Sequence, residues 1–250
     1  MNAAIRVEAL KLTRSLVGVV ATVAIVLGVV SLLAGITVGV AGGNPELIAK
    51  AGPAAALDWG GLLAGAAQVT AVVGILGFGI VLAWMFGREF TDGTITGLFA
   101  LPVSRSRIAL AKLVVYAIWT IAVSIDLVLG VLALGLLAGY GAPDVEAWSA
   151  LARLCVLAML SAGIAVPIAW IATVTRSLLA AVASTIALVV IAQVGALAGA
   201  GGWMPLAAPA LWAMSNGTAV TTVQLAVTGI VPLAFAALTC NAWERLQVDR

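Results

Sequence analysis

The residues of this chain best suited to chemistry gather in one stretch, Gly87-Arg88-Glu89-Phe90-Thr91-Asp92-Gly93-Thr94-Ile95-Thr96-Gly97-Leu98-Phe99-Ala100-Leu101-Pro102-Val103-Ser104-Arg105-Ser106-Arg107. Its charges, Gly93, Gly97 and Pro102 break the apolar character of the flanking sequence, while Phe90, Leu98 and Leu101 fall on one helical face. Glu89 and Asp92 near the start of a short helix suit its positive end. An apolar face of this kind fits a partner's groove, and Arg105 and Arg107 lie at headgroup level. A solvated loop whose charges only fix topology accounts for the same residues, and both readings stay open.

Other polar groups stand alone. Asp126 lies 14 residues beyond Lys112, about 21 Å along a helix, inside a long apolar run where an ionisable side chain costs on the order of 2.5–3.5 kcal/mol. It is either protonated and hydrogen-bonded to a neighbouring helix, or facing a transport cavity, or relaying protons. Gln68 and Gln193 are secondary candidates for cavity lining, with interhelical hydrogen bonding as their default role. The chain has no histidine and two cysteines, Cys155 and Cys240, which the expected spans place too far apart in depth to bridge. No lysine follows a glycine, so the phosphate-binding G-x-x-x-x-G-K-[ST] loop is absent. With no metal-ligand cluster and no nucleophile beside a base, a catalytic site is unsupported, and no metal or nucleic-acid partner is expected.

Composition dictates what must position these groups. Hydrophobic residues make up 64% of the 250 and charged residues 9%, too few to build a water-facing surface. In lipid the backbone must satisfy itself, and apolar runs this long without alternation point to helices rather than a barrel. The fold class is therefore all-α: one polytopic transmembrane domain with spans at 15–41, 59–86, 108–137, 148–174, 177–198 and 220–243. A basic segment at 1–14 carries Ile5, Ala9 and Leu12 on one stripe, with Val7 and Leu10 off it, and reads as a short interfacial helix, a frayed basic tail being the alternative. Residues 42–57 form a polar interruption, 87–107 the charged loop, and 199–219, rich in glycine and proline, a re-entrant or interfacial pair of short helices. Pro167 kinks the fourth span, and Thr175-Arg176-Ser177 makes a tight turn before the fifth. With both ends in the cytoplasm, Arg6, Lys11, Arg14, Arg88, Arg105, Arg107, Lys112, Arg176, Arg245 and Arg250 are inside. Only Lys50 and Arg153 are then outside, which satisfies the positive-inside rule.

Glu89, Gly93-Thr94, Leu98, Pro102 and the Ser104-Arg105-Ser106-Arg107 run leading through Lys112 into a span resemble the loop between spans two and three of type-2 ATP-binding-cassette (ABC) export permeases. The basic N-terminal helix, the span count, Pro205 and Pro209 before the last span, and Glu244-Arg245 with Asp249 agree, so the likeness covers the whole layout. It implies a plasma-membrane permease subunit that exports a drug, antibiotic, peptide or lipid-like solute. Two copies of a separate ATPase subunit would hydrolyse ATP with magnesium, beside a second permease, identical or diverged. This chain would bind no cofactor itself. The resemblance makes Arg88, Glu89, Phe90, Asp92, Gly93, Thr94, Leu98, Leu101 and Pro102 the lever that couples the ATPase to the spans. Thr96-Gly97 departs from the bulkier or charged residues common there. An ion-coupled transporter centred on Asp126 and a non-transporting assembly subunit are the alternatives.

Overall fold

The computed structural model describes residues 2–99 and 102–247; Leu101, Asp249 and Arg250 of the expected features lie outside them. The described residues hold no strand. The chain runs α1 (Asn2–Thr13), α2 (Leu16–Ala41), α3 (Pro45–Ala51), a 3-10 turn (Gly52–Ala55), α4 (Trp59–Thr91), α5 (Ile95–Phe99), α6 (Arg105–Leu137), α7 (Val145–Ile164), α8 (Pro167–Thr175), α9 (Leu178–Leu197), a second 3-10 turn (Gly201–Trp203), α10 (Ala208–Met214) and α11 (Thr222–Arg245). Six of these segments are long and apolar enough to cross a bilayer, with α7 and α8 counting as one. Five of the six starts are set by side chains that accept from orphan backbone donors: Ser15 from Gly18, Asp58 from Gly61, Asp144 from Ala147, Ser177 from Ala180, and Thr221 in a reciprocal capping box with Gln224.

Both described ends of the chain lie on one face, called proximal below. There Arg105 donates to the Leu246 carbonyl, and Arg176 donates to the Gln247 carbonyl at 3.0 Å. Arg176 itself is left-handed at φ 51° and closes the tight turn between α8 and α9. On the opposite, distal face Trp59 reaches the Gly141 carbonyl and Arg153 reaches Asn216.

The bundle is built around α4. Apolar burial does little to join helices in lipid, so contact depends on close packing, and α4 supplies it with small residues. A Cβ on Gly79 would collide with the Thr185 side chain of α9, and one on Gly87 would stand 2.9 Å from the Leu178 Cα. Gly135 of α6 likewise lets Trp59 and Leu62 of α4 approach, while Gly61 packs under Ala56 and Gly195 under Met204, seating loops on helix ends.

Several boundaries differ from the expected ones. The second span continues to Thr91 and the third begins at Arg105, so the charged loop contracts to little more than α5 and its flanking turns. The charges at 88 and 89 stay helical because each is neutralised, as described below. The interruption at 42–57 is itself helical, with Asn44 capping α3. Residues 199–219 hold a 3-10 turn and α10, which packs on α4 and α7.

Pro167 breaks the fourth span as expected, and the structure shows how the break is satisfied. Val166 donates to Gly163 rather than Ala162, and the buried Tyr116 hydroxyl donates to the Ala162 carbonyl at 2.9 Å. Tyr116→Phe is expected to cost about 1–3 kcal/mol, the penalty of a buried carbonyl losing its donor. Unfolding of the purified protein in mixed micelles measures it.

Candidate coupling site

Where α4 leaves the bundle on the proximal face, three helices bring four charges together. Lys112 of α6 lies 2.7 Å from a Glu89 oxygen of α4 and 2.8 Å from a Glu8 oxygen of α1. Lys11 of α1 completes the ring, 2.9 Å from Glu8 and 3.0 Å from the same Glu89 oxygen. Two carboxylates and two ammoniums leave no net charge. Lys112 and Glu89 are 1% exposed and Glu8 4%, so the pairing is what makes burial of these ions tolerable. Burial works against the charge of Lys11, but the bonds and proximity of Glu8 and Glu89 outweigh it and raise its pKa.

Helix α1 enters this site by its stripe. Leu12 is buried, and Ile5 and Ala9 are half-buried against the core, while Val7 and Leu10 are exposed. The stripe expected to lie on lipid docks on α2 and α6 instead. Glu8 was not legible as a site residue although it falls between Ile5, Ala9 and Leu12. Its signal was a carboxylate inside an apolar stripe, three residues before a lysine.

The turn after α4 hangs from the same ring. Thr94 donates its hydroxyl to the second Glu89 oxygen. Asp92 caps α4, and Gly93, at φ +67°, takes the left-handed conformation that ends the helix, where a Cβ would be strained. Arg88 stacks over Trp84 at 4.6 Å and pairs with Asp92 at 3.5 Å. Phe90, Ile95 and Leu98 pack against the protein's own core. The described members of the expected apolar patch, Phe90 and Leu98, are therefore half-buried. Glu89 reaches no surface. The outward side of the turn is Asp92, Gly93, Thr94 and Gly97, with Pro102 exposed at its far end.

The intramembrane candidates separate. Gln68 lines a cavity of about 680 Å³ on the distal face, between the starts of α4 and α7 and the end of α10. Asp126 and Gln193 do not line it. Asp126 is exposed on α6 among Ile118, Ile121, Ile125 and Leu129, and among the described residues no hydrogen bond or ion pair engages it. Gln193 is half-exposed on α9. Both cysteines are free thiols.

Fold and site together define a polytopic helical membrane protein whose proximal face carries a buried charge ring beside a short helix. Sequence comparison gives that class its family. The family profile described as ABC-2 family transporter protein matches residues 4–193, and the chain belongs to that family. A bacitracin transport permease protein of Bacillus licheniformis is 31% identical over 51 residues, covering 20% of this chain and 24% of that protein. The match thus spans about a quarter of the relative's length.

Proposed function

We propose that this chain is the membrane-spanning half of an ATP-driven exporter, lying in the plasma membrane with its proximal face in the cytoplasm. The observation that carries the proposal is the charge ring. A partner ATPase bearing on Asp92, Gly93, Thr94 and Gly97 would move Thr94, and Thr94 is bonded to Glu89. From Glu89 the displacement passes through Lys112 to α6 and through Lys11 to α1, and along α4 to every helix packed on it. Glu89 is therefore a positioning residue behind the docking surface, while ATP and magnesium belong to the partner.

The proposed complex holds two ATPase copies and a second permease. Asp126 supports that assembly, because a carboxylate on an otherwise apolar exposed face needs covering by another membrane chain. A proton relay through Asp126 lacks a next station among the described residues. The cargo is an amphipathic or hydrophobic solute, and bacitracin, after which the relative is named, is the first probe.

The experiment is reconstitution of the permease with its co-purifying ATPase in vesicles, comparing wild type with Thr94→Val. The variant removes one hydrogen bond to a buried carboxylate, a stability change of about 1.5–3 kcal/mol. It is expected to uncouple ATP hydrolysis from bacitracin movement, with the fold retained. Full ATP-driven movement in Thr94→Val refutes the transmission route, and no ATP-driven movement in wild type refutes export of this probe.

A further inference from the structure

The distal cavity has a lining that the coupling mechanism does not use. Its volume, about 680 Å³, is that of a site for a drug-sized molecule. Its floor is apolar, made by Leu63, Ala67, Leu154 and Ala213, and the Trp59 side contributes an aromatic wall. Its rim is charged. Asp58, Asp144 and Glu146 stand around it with one cation, Arg153.

The balance of charge decides what this lining prefers. Asp58 and Asp144 each accept one backbone bond, from Gly61 at 2.8 Å and Ala147 at 2.7 Å. The starts of α4 and α7 also contribute about half a positive charge each. Three carboxylates against Arg153 and two helix starts leave the rim about one charge negative. Arg153 is moreover held by Ser149 at 3.1 Å and Asn216 at 3.0 Å, which directs two of its nitrogens to groups of its own chain. Glu146, in the first turn of α7, has an exposed carboxylate that makes no hydrogen bond or ion pair among the described residues. Gln68 is the polar group on the α4 wall, nine residues beyond Trp59, about 13 Å along the helix.

We propose that this vestibule is a binding site for cationic amphipathic molecules. The apolar body lies on the floor against Trp59, and the cationic centre faces Glu146 and the outer oxygens of Asp58 and Asp144. The site's use as an exit station rests on the export reading; binding itself does not.

The test is calorimetric titration of the purified permease in detergent, without any ATPase. The probes are tetraphenylphosphonium and its anionic counterpart of nearly the same shape, tetraphenylborate. Wild type is expected to bind the cation in preference to the anion. Glu146→Gln, an exposed substitution, should weaken the cation about fivefold, the worth of one solvent-facing charge contact. Ala64→Trp, which fills the cavity from α4, should abolish binding. Equal binding of cation and anion, or cation binding unchanged in both variants, overturns the proposal. A permease that binds tetraphenylphosphonium here yet exports nothing with its ATPase leaves the vestibule standing and removes the export reading; ATP-driven export with no such binding does the reverse.

Discussion

Lys112→Ala is expected to lower stability by about 3–5 kcal/mol, the cost of taking one partner from a buried ion pair. Lys112 touches both carboxylates of the ring, and both are almost fully buried. Without it, Lys11 alone faces Glu8 and Glu89, so one negative charge is left over where water cannot reach. The loss is not intrinsic to the position. Glu89→Met combined with Lys112→Met removes one charge of each sign and leaves the Glu8–Lys11 pair of α1 intact. Replacing a buried pair by well-packed apolar groups is often neutral, so the double variant should recover most of the stability. It should not recover coupling, because Thr94 loses its acceptor and α4 loses its ion pairs to α6 and α1. Unfolding in mixed micelles together with ATP-driven transport in vesicles separates the two effects. A double variant that is stable and fully coupled would show the ring to be packing alone.

Trp243→Ala is expected to be nearly as damaging. Trp243 is fully buried near the proximal end of α11, edge-on to Phe86 at 5.8 Å, and donates to the Thr173 hydroxyl at 3.0 Å. It thereby ties α11 to α4 and α8. Little else of α11 is buried, so this side chain anchors the helix. Truncating a buried tryptophan costs about 3–5 kcal/mol in water-soluble proteins. In lipid the transfer component is small and lost packing dominates, so the low end of that range is expected. Thr173→Val should cost about 1–3 kcal/mol, since the indole N–H then lacks an acceptor. Equal losses in the two variants, measured by the same unfolding assay, would mean that the hydrogen bond rather than the packed ring holds α11.

The membrane architecture was legible because lipid leaves the backbone one choice, and uninterrupted apolar runs such as Leu16–Ala41 state it directly. Pro167 and Arg176 gave the break and the turn for local reasons. What lay hidden was pairing between distant positions. Nothing in the local sequence says that Glu8 meets Lys112, and a stripe counted only by its apolar members passes over the glutamate among them. Glu89 was visible through the resemblance, yet loop charges and glycines concealed that α4 runs on to Thr91 and turns this carboxylate inward. The same gap hid the vestibule, whose rim joins residues from 58, 144–153 and 216. Gln68 could be singled out by depth, and it lines that cavity. Asp126 was singled out by the same logic, and it stands on an outer face. Depth is written in the sequence, whereas the direction a helix turns each side chain depends on its neighbours.

The central claim is that the turn beyond α4 is gripped by a nucleotide-driven partner. Its most direct test is photo-crosslinking from position 92, with Asp92→Cys carrying a benzophenone maleimide in a protein whose Cys155 and Cys240 are replaced by serine. In native membranes the probe should capture an ATP-binding-cassette ATPase, with a yield that changes when ATP is added. Capture of no ATPase, or labelling of position 92 by a membrane-impermeant thiol reagent applied to intact cells, would contradict it.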